Sequence, residues 1–502
     1  MPELVVVGLD ALDPFFLQKW VDSGFLPTFK KLIENGVFGK LESTIPPVTI
    51  PAWPAMFTGK NPGKLGVFDF FDVKKVENGY TLKPFSPASC RGSYVWDILG
   101  SFGKKSGIIN FPELFKSYEV NGFMVNSLHE FSTYPEELAG ELEAAVPNSE
   151  SYIKYPFEST KNFEKSTSVE WKIDKYLRKT YNVDLFIHVF RILDVAMHHA
   201  TNEQQLKEVY IKMDKQLGDY LESDKKTNIL IVSDHGGKEY HKKFYVNSYL
   251  NETGYLQLKN SNHSKSLIRS LSYSVVNTFP GLEKFFGKLS DFFTQVTGEN
   301  LRPSLEELFG SIDWDLSEVF AYTLTTSNFV GFWLLKKDVD IKKQLLELKD
   351  PESEKRIVKN IFSKEEIYNG PMLNLLPELV VELDEEYLAT SELGPFTFCK
   401  TKHFAHQKYG TFIAYGDDFK KKMLITEAEI VDVAPTILHM LDVPIPEDVD
   451  GKVLKDIFRE GSNFANREIK RKKPVSRKSK DIKLDKEDEE AIKKRLKSLG
   501  YF

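Results

Sequence analysis

The sequence predicts an α/β protein with a doubly wound, mostly parallel sheet sandwiched by helices. Short runs rich in Val, Ile and Phe recur along the chain, and amphipathic segments separate them. This alternation is typical of buried parallel strands covered by helices. The expected strands are Leu4–Val7, Ile108–Asn110, Phe123–Val125, Leu185–Val189, Ile229–Val232 and Thr411–Ala414. The expected helices are Pro14–Val21, Leu26–Asn35, Tyr94–Phe102, Glu203–Glu222 and Ile430–Leu441.

The 502 residues are enough for one large α/β domain with insertions. We predict that residues 1–255 and 395–465 form the two parts of one α/β core. A helix-rich insertion, interpreted as a cap, is expected at 256–394. Residues 466–502 are expected to form a basic linker followed by a terminal helix, Lys486–Leu499.

Composition excludes several classes of protein. A formal net charge of −6 on so large a surface gives no reason to expect nucleic-acid binding. The two cysteines, Cys90 and Cys399, rule out a disulfide framework and argue against a cysteine-based zinc site. The sequence lacks a signal-peptide pattern, and no window approaches the roughly 20 apolar residues of a membrane helix. We therefore expect a cytoplasmic protein.

Acidic and imidazole side chains follow three of the predicted strands, and a further histidine precedes a fourth. Ligands of open α/β sheets bind beyond the carboxyl ends of the strands, so these side chains are expected to meet. Three carboxylates and three imidazoles suit Zn²⁺, with Mn²⁺ or Fe²⁺ as alternatives. The residues are Asp10, Asp194, His198, Asp234, His235 and His406.

Each of these signals also has a purely structural interpretation. An Asp after a strand commonly caps a helix, as Asp10 could. Asp194 and His198 could form a surface pair, and Asp234-His235-Gly236-Gly237 could be a simple turn. Their joint occurrence at several strand ends favours a site.

The proline-rich segment from Ile45 to Gly59 predicts a helix whose N-cap is Thr49. Pro51 and Pro54 fit only the first helical turn, and Gly59 ends the helix. Thr49 could be a plain cap. Alternatively, its hydroxyl lies where a helix N-terminus favours a phosphate, and a bound metal would make it nucleophilic.

In residues 1–255 and about 400–500, the chain resembles the type I phosphodiesterase/nucleotide pyrophosphatase branch of the alkaline phosphatase superfamily. The resemblance depends on several motifs in the same order, at spacings that few unrelated sequences would share. These are Gly8–Ala11, Thr49–Gly66, Asp194 with His198, Ser233–Gly236 with Asn247, His406 with Gly410, Val431–Leu438 and Asp450-Gly451.

The resemblance implies an alkaline-phosphatase-like fold and a metal-dependent hydrolase of phosphate monoesters or diesters. It implies two divalent metal ions and Thr49 as a nucleophile that passes through a phosphothreonine intermediate. One metal would be held by Asp194, His198 and His406. The other would be held by Asp10, Asp234 and His235.

Two positions leave choices open. Characterised nucleotide pyrophosphatases have an Asn after an Asp shortly beyond the nucleophile helix, whereas Phe70 follows Asp69 here. Hydrolysis of nucleotide diesters is therefore in doubt. His403 competes with His406 as the late ligand, and the spacing to Gly410 favours His406.

Other activities are alternatives to hydrolysis. Thr49 argues against a sulfatase, which needs Cys or Ser, and against a phosphoglycerate mutase, which needs Ser. A transferase moving a phospho-headgroup to a lipid or glycan and a non-catalytic metal-binding protein remain alternatives. The substrate is expected to be a small-molecule or lipid- or glycan-linked phosphate ester. The leaving group and oligomeric state are left open.

Two further segments each have a purely structural interpretation and a membrane-related one. The basic run Arg467–Lys483 is interpreted as a solvated linker, with contact to an anionic membrane as the alternative. An apolar stripe in the insertion is interpreted as packing within the cap, with a lipid groove as the alternative. The stripe comprises Leu282, Phe285, Phe286, Leu289, Phe292, Phe293 and Val296.

Overall fold

The structure, a computed structural model, describes residues 2–85, 90, 92–112, 114, 116–127, 131–149, 160–223, 227–259, 305–324, 326–394, 397–474 and 490. The apolar stripe at 282–296 and the terminal helix expected at 486–499 lie outside the described residues, apart from residue 490. No helix in these ranges combines the length and the apolar composition needed to cross a membrane.

The strands of the described ranges, in chain order, are β1 (Leu4–Leu9), β2 (Val37–Glu42), β3 (Phe71–Val76), β4 (Gly79–Pro84), β5 (Ser106–Ile109), β6 (Gly122–Asn126), β7 (Ser132–Tyr134), β8 (Leu185–Phe190), β9 (Asn228–Val232), β10 (Gly236–Tyr245), β11 (Val319–Tyr322), β12 (Phe329–Leu334), β13 (Val358–Ser363), β14 (Leu379–Leu383), β15 (Tyr387–Thr390), β16 (Phe398–Gln407), β17 (Tyr409–Tyr415), β18 (Met423–Glu429), β19 (Ile445–Pro446) and β20 (Arg471–Lys472).

The α-helices of the same ranges are α1 (Pro14–Asp22), α2 (Pro27–Glu34), α3 (Thr49–Thr58), α4 (Pro62–Leu65), α5 (Val95–Ser101), α6 (Leu138–Ala145), α7 (Thr160–Thr180), α8 (Ile192–His199), α9 (Glu203–Ser223), α10 (Val246–Glu252), α11 (Leu305–Ser311), α12 (Lys342–Glu347), α13 (Lys364–Ile367), α14 (Val433–Met440) and α15 (Asn463–Asn466).

A nine-stranded sheet in the order β18-β2-β17-β9-β1-β8-β5-β6-β7 forms the centre of the molecule. The pairs β1–β8, β1–β9, β5–β8, β5–β6 and β2–β18 are parallel, whereas β17 and β7 run antiparallel to their neighbours. Strands β1, β8 and β9 are buried along their whole length, which explains their continuous Val, Ile, Leu and Phe composition. The predicted α/β fold with a mostly parallel sheet is confirmed.

The register of the three central strands aligns their carboxyl ends. Gly8 lies opposite Val189 on β8 and Val232 on β9. The residues that follow these strands therefore emerge at one edge of the sheet. Gly8 also lets helix α3 approach β1, since an added Cβ would lie 2.6 Å from Trp53 Cη2.

A second, three-stranded sheet in the order β15-β10-β16 stands beside this edge. Strand β10 starts immediately after His235 and pairs antiparallel with β16, in a register that places Gly237 opposite His406. This pairing brings together two histidines that are far apart in the sequence.

The described part of the insertion differs from the helix-rich prediction. Strands β11, β12, β14 and β13 form a four-stranded antiparallel sheet, accompanied by only short helices. The cause is visible in the sequence: apolar runs such as Phe329–Leu334 and Leu379–Leu383 are rich in Val, Phe and Leu and only five or six residues long. Runs of this length and composition favour strands over helices.

The start of α3 also differs from the prediction. Val48 is the N-cap and Thr49 is the first helical residue, since Ala52 N–H donates to Val48 O at 3.0 Å. Pro54 lies inside the helix instead of in its first turn, and its carbonyl accepts a hydrogen bond from Thr58 Oγ1. Gly59 ends the helix in the left-handed conformation, as predicted.

Candidate metal centre and nucleophile

All six predicted ligands converge at the carboxyl edge of the central sheet. Each one is at least 96% buried, and none is brought in by a long flexible loop. Asp10 follows β1, Asp194 and His198 lie on α8, Asp234 and His235 lie between β9 and β10, and His406 is near the end of β16.

The turn after β1 is held by the segment after β9. Ala11 has a φ of 62°, which turns the chain sharply beyond Asp10. Ala11 N–H donates to Asp234 Oδ1 at 3.3 Å, and Leu12 N–H donates to Ser233 Oγ at 2.8 Å. These bonds hold Asp10 and Asp234 at a fixed separation before any ligand arrives.

The first ligand group consists of Asp10, Asp234 and His235, whose candidate ligand atoms all lie within 4.8 Å of one another. His235 Nε2 is 3.2 Å from Asp234 Oδ2 and 3.6 Å from Asp10 Oδ1. On the other side of the ring, His235 Nδ1 lies 3.0 Å from Gly236 O. Because a carbonyl only accepts, Nδ1 carries the proton and Nε2 presents its lone pair to the carboxylates.

The second group is centred on Asp194. Four residues along α8, His198 turns to the same side, and its Nε2 lies 3.2 Å from Asp194 Oδ1. His406 Nε2 lies 3.4 Å from the same oxygen and 3.0 Å from His198 Nε2. His406 Nδ1 donates to Pro47 O at 3.0 Å, so its Nε2 also faces inward as a lone pair.

The two groups are adjacent, and the start of α3 lies beside them. The rings of His235 and His406 stack with centroids 3.7 Å apart, and Asp194, His235 and His406 form a further compact set of ligand atoms. Thr49 is 1% exposed, and its Oγ1 lies 3.3 Å from His235 Nε2. The hydroxyl therefore faces the ligand cluster instead of capping its own helix.

The cluster concentrates negative charge away from water. Burial, reinforced by the charges of Asp234 and Asp194, raises the pKa of Asp10 well above its usual value. Burial and the charge of Asp194 raise the pKa of Asp234 to about 8. Burial also disfavours ionised Asp194, but His198 and His406 outweigh it and hold the pKa of Asp194 well below its usual value.

The environment of His235 and His406 favours their neutral forms. Burial, followed by the proximity of His406, lowers the pKa of His235 to about 4, and burial lowers the pKa of His406. Neutral imidazoles are the form that binds metal ions.

The donor set fits divalent cations. Among the described residues, both carboxylate oxygens of Asp10 and Oδ2 of Asp234 are buried without a hydrogen-bond partner. Buried carboxylates without donors are costly unless a cation compensates them. Nitrogen and oxygen donors in this number suit Zn²⁺, and also Mn²⁺ or Fe²⁺.

Asp13 supports the site and was missed in the sequence. Its Oδ1 caps α1 by accepting from Phe15 N–H and Phe16 N–H, and its Oδ2 accepts from Gly237 N–H and Gln407 Nε2. It therefore links the turn after β1 to β10, which begins next to His235, and to β16, which carries His406. The Asp-Pro pair at the start of α1 was the available signal, since it is typical of a helix cap.

A family model described as "Type I phosphodiesterase / nucleotide pyrophosphatase" matches residues 4–406. The chain therefore belongs to the type I phosphodiesterase/nucleotide pyrophosphatase family, whose members are phosphoric ester hydrolases. The expected protein family and enzyme class are confirmed. None of the curated proteins compared with the chain matches it in sequence.

Solved structures share the fold at low sequence identity. An inactive form of murine ectonucleotide pyrophosphatase/phosphodiesterase 5 in complex with AMP superimposes with a TM-score of 0.56 at 13% identity, covering 91% of this chain and 100% of its own. Phosphonoacetate hydrolase from Sinorhizobium meliloti 1021 in complex with phosphonoformate gives a TM-score of 0.54 at 14% identity, covering 86% of this chain and 94% of its own. At these identities the likeness concerns the fold.

Proposed function

We propose that the protein is a metal-dependent hydrolase of phosphate esters that uses Thr49 as its nucleophile and two divalent cations, with zinc as the first choice. Asp194, His198 and His406 would hold one cation, and Asp10, Asp234 and His235 the other. The observation that carries the proposal is the position of Thr49 Oγ1, buried and 3.3 Å from His235 Nε2 at the border of the cluster.

The cations would supply positive charge that favours the ionised Thr49 hydroxyl and balances the charge of the phosphoryl group. The chain itself provides a preorganised hydroxyl at the N-terminus of a ten-residue helix, where unpaired N–H groups favour an anion. In the first step, Thr49 Oγ1 forms a bond to phosphorus as the bond to the leaving alcohol breaks. Water then forms a bond to phosphorus as the bond to Thr49 Oγ1 breaks, which releases phosphate (a phosphate monoester when the substrate is a diester) and regenerates the hydroxyl.

We assign residues 1–255 and 395–465 to the catalytic core and 256–394 to a cap. In support, the cap reaches the site: His406 N–H donates to Thr326 O at 2.7 Å. Asn247 at the end of the first core segment hydrogen-bonds the backbone of Ala321 and Ser391 within the insertion. A cap in this position would contact the leaving group of a bound ester.

The proposed substrates are small-molecule phosphate esters. The structural neighbours crystallised with AMP and with phosphonoformate support this class, since both ligands are small phosphorus-containing anions.

Thr49→Ala tests the proposal. The zinc-loaded protein is assayed with aryl phosphate monoesters and diesters, aryl phosphonates and aryl sulfates, with and without alcohol acceptors. The variant is expected to lose at least ~10³-fold in kcat, because a covalent nucleophile is removed. Its metal content should not change.

Thr58→Ala is the matched control. It removes a hydroxyl from the same helix, where Thr58 Oγ1 bonds to Pro54 O away from the cluster. This variant should keep its turnover within a few-fold of native. Full activity in Thr49→Ala would refute the nucleophile assignment, and products in which the phosphoryl group resides on the alcohol would indicate a transferase.

A further inference from the structure

Arg191 is a largely buried cation that lies next to the candidate ligand Asp10. It follows β8 and is the N-cap of α8, the helix that carries Asp194 and His198. Its side chain is 12% exposed, and its Nε is buried without a hydrogen-bond partner among the described residues. The nearest carboxylate oxygen, Asp10 Oδ2, is 3.9 Å from Nε, which is too long for a hydrogen bond.

Arg178 is a buried guanidinium that has a carboxylate acceptor, and it provides a comparison for Arg191. Arg178 is 8% exposed, and its Nε donates to Asp174 Oδ1 at 2.8 Å. A desolvated guanidinium needs acceptors of this kind, because burial without them costs several kcal/mol in order-of-magnitude terms. Arg191 Nε has no such acceptor among the described residues.

The location of Arg191 points to the reacting group. Arg191 adjoins Asp10, whose Oδ1 lies 3.6 Å from His235 Nε2, and the same nitrogen lies 3.3 Å from Thr49 Oγ1. The guanidinium and the Thr49 hydroxyl therefore both lie next to the same group of candidate ligands, Asp10, Asp234 and His235.

We propose that Arg191 donates to non-bridging oxygens of the phosphoryl group that Thr49 attacks, and thereby favours phosphate monoesters over diesters. This inference rests on the proposed function. A guanidinium presents parallel N–H groups that match two oxygens of one phosphate. A monoester dianion offers three terminal oxygens and two charges, whereas a diester offers two oxygens and one charge, so the monoester gains more from the contact.

The test compares native protein with Arg191→Met and Arg191→Lys. Methionine keeps much of the apolar stem, and lysine keeps the charge without the paired donors. Activity is measured as kcat/KM with 4-nitrophenyl phosphate and with bis(4-nitrophenyl) phosphate, and zinc content is measured for each preparation. Arg459→Met is the matched control, since Arg459 Nε donates to Asp417 O on an exposed surface.

Arg191→Met is expected to lose about 10²-fold in kcat/KM for the monoester and about tenfold or less for the diester, at unchanged zinc content. Arg191→Lys should fall between native and Arg191→Met, and the control should match native. Inorganic phosphate, titrated calorimetrically into the zinc-loaded proteins, should bind more weakly to Arg191→Met by a similar factor.

Two results would overturn the role of Arg191. One is an unchanged monoester-to-diester ratio together with unchanged phosphate affinity. The other is a parallel loss of both activities with loss of zinc, which would make Arg191 a counter-ion that holds Asp10. Native protein inactive on both esters would instead count against the proposed function, and the phosphate titration would still decide whether Arg191 binds the anion.

Discussion

Asp69 offers a quantitative test of the electrostatics of the core. It lies in the Phe68-Asp69-Phe70 segment and is 1% exposed. Its Oδ1 accepts from Phe70 N–H at 2.7 Å, while its Oδ2 is buried without a hydrogen-bond partner among the described residues. Burial raises its pKa from 3.8 to about 7, although hydrogen bonds from the backbone of Phe70 and Leu324 oppose the increase.

A carboxyl whose pKa is higher in the folded chain destabilises the fold when it must ionise. This destabilisation is absent below pH 3.8, grows as the pH rises towards 7, and is constant above that value. Each pH unit within the window costs about 1.4 kcal/mol. Between pH 5 and pH 8, the free energy of unfolding of the native protein should therefore fall by roughly 3 kcal/mol relative to a protein with a non-ionising residue at this position.

Asp69→Asn removes this ionisation and keeps an oxygen that can accept from Phe70. The free energy of unfolding is measured by urea denaturation at pH 5 and pH 8. The difference in this free energy between Asp69→Asn and native should be roughly 3 kcal/mol larger, in favour of the variant, at pH 8 than at pH 5. Asp22→Asn is the control, because Asp22 is exposed on α1 and should show no such pH-dependent difference. An Asp69→Asn difference that is equal at both pH values would refute the reasoning.

Two substitutions probe the packing that positions the site. Gly8→Ala should destabilise the protein by about 1–3 kcal/mol, since the new Cβ would lie 2.6 Å from Trp53 Cη2, whereas Gly140→Ala, with open space around it on an exposed helical position, should be neutral or stabilising. Thermal unfolding measures both, and equal effects would contradict the close approach of α3 to β1. Asn247→Ala should cost about 3 kcal/mol or more, because three buried hydrogen bonds to backbone groups, two of them at Ala321, lose their partner. A loss below about 1 kcal/mol would show that the amide is dispensable to the junction of core and insertion.

The central sheet could be predicted because its strands carry a strong local signal. Runs such as Leu4–Leu9 and Leu185–Phe190 are almost entirely apolar, and burial on both faces demands such composition. The convergence of Asp10 with Asp234 followed from the same signal, since parallel strands place their carboxyl ends at one edge.

Other features depend on contacts that local patterns do not encode. His406 precedes β17, as expected, but it also lies near the end of β16, whose pairing with β10 spans a long separation in sequence. The N-cap of α3 is Val48, and the Thr49 hydroxyl lies 3.3 Å from His235 Nε2, a contact between distant segments that no capping rule includes. Arg191 gave no sequence signal, because only the folded chain shows that it adjoins Asp10 and that its Nε has no hydrogen-bond acceptor among the described residues.

The central claim is that six side chains at one sheet edge bind two cations beside Thr49, and metal stoichiometry tests it most directly. The purified protein is loaded with zinc, freed of excess metal and measured by inductively coupled plasma and native mass spectrometry. We predict two zinc ions per chain in the native protein and in Asp22→Asn, and one in Asp194→Asn. Native protein that retains no zinc, or an Asp194→Asn variant that binds as much as native, would contradict the account.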